Sequence, residues 1–203
     1  GVGLAREWMQ REHRRLLLPV YLPTVLLAFG QGVMVPILPL YALEFGGSYG
    51  LAGLVVSAAW IGTLLADLPT GLLLPRLGFR RSMVIGCGLF AAGTTALAFA
   101  GFAPELILYR FIAGIGTALW GLSRHTYVTH AVPSASRGRA IAVFGGINRI
   151  GWFAGPAVGG LVATAVGLPA AFMLCAAATT LGPVLVLALA HGARAPHSAP
   201  PRP

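Results

Sequence analysis

The chain is written as long apolar runs broken by short polar connections. Six runs stand out, at residues 16–42, 51–75, 83–101, 104–128, 140–166 and 168–190. A helix that crosses a bilayer needs about 20 apolar residues, at a rise of 1.5 Å each. Each run therefore predicts one spanning helix, with the third the shortest and the fifth and sixth joined by a tight turn at Gly167-Leu168-Pro169. The expected fold is all-α: a polytopic membrane protein with six transmembrane helices. Residues 16–191 form the bundle. Residues 1–15 read as a basic segment at the cytoplasmic interface, and 192–203 as a Pro-rich cytoplasmic tail or the start of a linker.

The charges sort by connection. Arg6, Arg11, Arg14 and Arg15 precede the first run. Arg76, Arg80 and Arg81 follow the second, Arg137 and Arg139 the fourth, and Arg194 and Arg202 the sixth. The intervening connections carry Glu44, Glu105 or no charge at all. By the positive-inside rule both ends are expected in the cytoplasm, with the chain in a cell (plasma or inner) membrane. The chain opens Gly-Val-Gly, and its first apolar run is too long and Pro-rich for a cleaved signal peptide, so it reads as a retained helix.

Composition agrees. Residues are 57% hydrophobic and 9% charged, against about 25% charged in soluble domains. The net charge of +9 does not point to nucleic acid, because the arginines are scattered between apolar runs and form no basic face. Cys87 and Cys175 lie in separate runs and read as small packing residues, not as a disulfide or metal pair. No spacing of ligands or of nucleophile and base suggests a metal, a cofactor or an enzyme active site.

Polar groups inside a span are costly and mark function. Asp67, Arg110, Arg124 and Arg149 are the charged candidates, and Gln31, between Gly30 and Gly32, is the polar one. Counting from the inner ends, Asp67 lies about 12 Å deep and Arg124 about 9 Å, so an ion pair between them is one expectation. Arg124 reaching alone to the headgroups is the other. Arg110 and Arg149 have no carboxylate at their own depth, which suggests a water-filled cavity, an anionic substrate group or a partner. Pro36 and Pro39 follow Gln31 and predict a bent, broken first helix lining a path. On the fifth helix Gly151, Gly155 and Gly159 recur at steps of four, on nearly one stripe, beside Pro156. Such a stripe admits a second helix at close range.

Three stretches carry a resemblance. Gly71-Leu-Leu-Leu-Pro-Arg76-Leu-Gly78-Phe-Arg80-Arg81 is similar to the G-x-x-x-D-R-x-G-R-R inner-loop signature of the major facilitator superfamily, with one extra residue and Pro75 at the Asp position. Arg110-x-x-x-Gly114-x-Gly116 resembles the R-x-x-x-G-x-G motif of its fourth helix. Gly151-x-x-x-Gly155-Pro156-x-x-Gly159-Gly160 resembles the antiporter motif of its fifth. Together they resemble the N-terminal six-helix half of a transporter in the drug:proton antiporter branch, a 3+3 inverted repeat.

That resemblance implies secondary transport of small molecules by alternating access, with proton-coupled efflux of amphipathic compounds as the expected mode. Gln31 and Arg110 then face the substrate or proton path, with Asp67 and Arg149 as further candidates. Asp67 stands in for the carboxylate missing at Pro75. The implied partners are the bilayer, a small-molecule substrate and a second six-helix half, against which the glycine stripe is expected to slide. That half would belong to the same gene product, a partner chain or a homodimer. The rival reading is a non-transporting membrane scaffold subunit.

Overall fold

The computed structural model describes the backbone of residues 2–46, 48–131 and 134–190, and most side chains from residue 21 onward. It contains six helices in chain order: α1 (Val2–Glu44), α2 (Tyr49–Leu77), α3 (Phe79–Leu97), α4 (Ala103–Ala131), α5 (Ser134–Val166) and α6 (Leu168–Ala190). The described residues include no strand. Four segments are long and apolar enough to cross a membrane: Tyr21–Glu44, Tyr49–Leu77, Ala103–Tyr127 and Ile141–Val166. The other two helices are shorter in this respect. α3 has only 19 residues and gives its first turn to Arg80 and Arg81, and the described apolar part of α6 is Leu168–Gly182. Large apolar side chains cover the outside, among them Leu64, Leu68, Leu72, Phe153 and Leu161, all at least 70% exposed. Water would not tolerate such a surface. The chain is an integral membrane protein.

The connections are shorter than expected. The loop between the second and third runs reduces to Gly78, which takes φ 77° and ψ 157° and donates its N–H to the Leu74 carbonyl. Only glycine adopts that conformation without strain. Pro75 does not end α2, since the helix continues through Pro69 and Pro75 to Leu77. Arg76, Arg80 and Arg81 therefore stand on helix ends, not in a loop, and all three are exposed. Arg137 and Arg139 likewise fall within α5. At the far end of that helix Gly167, with φ 114°, makes the predicted tight turn, and Pro169 occupies the first turn of α6. Ser48 caps α2 by accepting the Leu51 N–H at 3.3 Å. The tail from residue 191 lies outside the described residues.

One expectation about α1 changes. Its helical backbone begins at Val2 and, in place of the expected break, runs uninterrupted past Pro36 and Pro39 to Glu44. A proline removes one N–H, and packing against neighbouring helices holds the rest of the ladder.

The packing has a pattern of its own. α1 packs chiefly on α5 and α6, whereas α4 packs chiefly on α2 and α3. Exchanging α1 with α4, α2 with α5 and α3 with α6 turns one set of neighbours into the other, and α3 against α6 maps onto itself. A 3+3 repeat predicts this arrangement. Contact positions give the directions. Gly151 meets Val25 and Phe29 while Gly159 meets Val33, so α1 and α5 run parallel. Gly93 meets Tyr109 while Gly86 meets Trp120, so α3 and α4 run antiparallel.

Glycines set the close approaches. Gly151, Gly155 and Gly159 are all buried against α1 of the same half. A Cβ at Gly155 would stand 2.5 Å from the Phe29 carbonyl oxygen and 2.6 Å from Val33 N. The stripe expected to slide on a second half is instead used within this one. The reason is reciprocal: Gly32 of α1 has no side chain either, and meets the Gly151 and Trp152 carbonyls. Gly160 has open space around it and belongs to no such contact.

Candidate functional site

The residues Gly30-Gln31-Gly32 show how the backbone aims a side chain. Successive helical positions differ by about 100°. Gly30 lets α6 approach, where Thr179 and Cys175 touch it, and the Cys175 thiol donates to the Gly30 carbonyl at 3.2 Å. Gly32 lets α5 approach. Gln31, between them, points into the gap toward α4, and its Nε2 donates to Thr117 Oγ1 at 3.5 Å. The Thr117 hydroxyl in turn donates to the Ala113 carbonyl at 3.0 Å, which leaves its lone pairs for Gln31.

On α4 the motif glycines do similar work. Gly114 lies against the Ala59 backbone of α2, and Gly116 against Gly86 and Phe90 of α3. Thr63 of α2 reinforces the first crossing by donating to the Ala59 and Gly114 carbonyls, at 2.9 and 3.0 Å. Held from two sides, α4 presents Arg110 and Thr117, seven residues and two turns apart, on one stripe.

These side chains meet around a cavity of about 240 Å³. Gln31 and Arg110 both line it, as do Thr63 and Thr117, with Trp60, Phe90 and Trp152 among its apolar walls. Among the described residues no carboxylate is in the lining. Arg110 Nε is buried and has no hydrogen-bond partner among the described residues. The threonines and tryptophans were not singled out from the sequence. Thr117 carried a usable signal, its spacing of seven from Arg110.

The other candidates lie elsewhere. Asp67 is exposed on α2, one turn beyond Thr63 on the stripe Val56-Trp60-Thr63 that lines the cavity. Arg149 is exposed on α5, three residues before Trp152. Neither lines the cavity itself. The expected pair of Asp67 with Arg124 is not formed. The Arg124 guanidinium sits 4.1 Å from the centre of the Phe144 ring and 5.9 Å from that of Trp120. Arg124 continues the Arg110–Thr117 stripe by seven more residues, and its guanidinium turns to α5, where Phe144 stands. A cation over aromatic faces is a favourable alternative to an ion pair. Near it Ser82, Trp120 and Ser123 each bury a polar atom without a hydrogen-bond partner among the described residues. Of the inner-loop residues, Gly71 is exposed, and a Cβ there would meet Leu122 at 3.8 Å. The described residues hold no cluster of His, Cys, Asp and Glu fit for a metal ion.

The sequence profile of the Major Facilitator Superfamily matches residues 20–203. The chain belongs to the Major Facilitator Superfamily. Among its curated relatives in the superfamily is the uncharacterized MFS-type transporter YcaD of Escherichia coli O45:K1 (strain S88 / ExPEC), 30% identical over 131 residues. That match covers 64% of this chain and 34% of YcaD, so the chain spans about a third of the relative's length. Solved superfamily structures share the fold. A peptide transporter POT crystallised with sulfate matches with a TM-score of 0.77 at 22% identity, over 87% of this chain and 38% of that one. A D-xylose-proton symporter matches with a TM-score of 0.72 at 22% identity, over 89% and 48%. In each case this chain overlays less than half of the longer protein.

Proposed function

We propose that this chain is one six-helix half of a secondary transporter that moves small molecules across a cell membrane by alternating access, and that it does no bond-making chemistry. The observation that carries the reading is the meeting of Gln31 and Arg110, from the two repeat-related helices α1 and α4, in one cavity. Transporter sites lie at the repeat interface, where a rocking motion opens them to either side. Membership of the superfamily supports the same conclusion.

Proton-coupled efflux is the mode favoured by the α4 and α5 motifs. Asp67 is the proton carrier in this scheme: it is a carboxylate inside an apolar span, on the stripe that leads into the cavity. Both termini are cytoplasmic in this scheme, and a second six-helix half completes the path. The test is transport in proteoliposomes under an imposed pH gradient. Uptake or release should follow the gradient, and Asp67→Asn should abolish the dependence on it. A protein that moves no solute in any oligomeric state overturns the reading.

A further inference from the structure

We infer that the ligand of the α1–α4 cavity is a small organic anion with an apolar body, held by its charged group on Arg110. The inference rests on the transport reading for its purpose, but its chemistry comes from the cavity alone.

The polar inventory of the lining is lopsided. The hydroxyl protons of Thr63 and Thr117 are already given to the carbonyls of Ala59, Gly114 and Ala113. Gln31 spends one N–H on Thr117. What remains is the second N–H and the amide oxygen of Gln31, which are neutral, and the Arg110 guanidinium, the one full charge among the described lining residues, whose Nε is buried and without a partner among the described residues. Among the described residues no acidic side chain lines the cavity. An arginine buried in an apolar span without a counter-charge is costly. An entering carboxylate or phosphonate removes that cost through charge-assisted hydrogen bonds, and the planar guanidinium fork suits a planar carboxylate. A cation would meet the same field as repulsion in a medium of low dielectric.

The walls set the rest of the ligand. Trp60, Phe90 and Trp152, with Met34, Val35 and Leu38, offer aromatic and aliphatic surface. The share of the site that this half supplies, about 240 Å³, is of the size that takes the acid group and the first ring or branch of a ligand. The fit is to one ring or a short branched chain bearing a single acid group.

Three probes of one shape separate the charges: benzoate, neutral benzamide and cationic benzylammonium. Binding of each is measured to the protein in lipid nanodiscs. Benzoate should bind about tenfold or more tighter than benzamide, and benzylammonium should show no binding. Arg110→Gln should erase the preference and Arg110→Lys should keep most of it. Equal binding of benzoate and benzamide, a preference for benzylammonium, or no binding of any probe overturns the inference, and these wild-type comparisons stand if a variant fails to fold. Binding is read without translocation, so a chain that selects benzoate yet moves nothing refutes the transport reading alone.

Discussion

Gln31 Nε2 reaches Thr117 Oγ1 at 3.5 Å across the crossing of α1 and α4. Few contacts join those two helices directly, because each is packed chiefly on its own pair of neighbours. The bond therefore links the set α1, α5 and α6 to the set α2, α3 and α4 across the cavity. Its length places it at the weak end of hydrogen bonds, as suits a contact that must break when the helices move. Gln31→Leu should cost about 1 kcal/mol of stability or less. Transport should fall far more than the amount of folded protein in the membrane. Comparing initial rates at matched protein levels checks this, and rates that track protein level contradict it.

Gly155 tests the packing. Leucine there must displace the backbone of Phe29 and Val33, not a mobile side-chain tip. Gly155→Leu should separate α1 from α5 and destabilise the protein by about 3 kcal/mol. Gly160→Ala, four residues from Pro156 and in open space, should change stability by about 0.5 kcal/mol at most. Thermal unfolding in detergent reads both. Equal tolerance at the two positions would show that the stripe does not hold the helices together.

Arg124 is held by Phe144 and Trp120, and Asp67 stands on another face. The double variant Asp67→Asn with Arg124→Gln should then be additive to within about 0.5 kcal/mol. Phe144→Leu, in contrast, should couple to Arg124→Gln by about 1 kcal/mol. A thermodynamic cycle on unfolding midpoints decides which neighbour matters.

The fold was legible in the sequence because lipid imposes a strict rule on run length. Six apolar runs could only be helices, and their order matched the family's half. The roles of Gln31 and Arg110 as cavity residues were legible for the same reason: a polar group survives in a span only where something receives it. The direction of the Gly151–Gly155–Gly159 stripe was not. A stripe of small residues states that a helix comes close and leaves open which one. Here the answer lay with Gly32, a glycine on the facing helix. The Asp67–Arg124 expectation failed on a similar point. Depth along a helix is countable from sequence, but the side of the helix that a neighbour occupies depends on packing. Pro75 misled in its own way, since a proline near a helix end marks a weak point, and the turn came three residues later at Gly78, where the backbone needs φ above zero.

The central claim is that Thr117, between Gln31 and Arg110 on the cavity wall, is reached by water. Cysteine labelling measures this directly. The native Cys87 and Cys175 are fully buried and can be replaced by alanine to remove background. In that protein Thr117→Cys should react with a small membrane-impermeant thiol reagent, and its rate should fall when benzoate is added. Ala118→Cys, next along the chain but 2% exposed, should stay unreactive. Labelling at 118 in place of 117, or at neither position from either side of the membrane, would contradict the cavity and the transport path built on it.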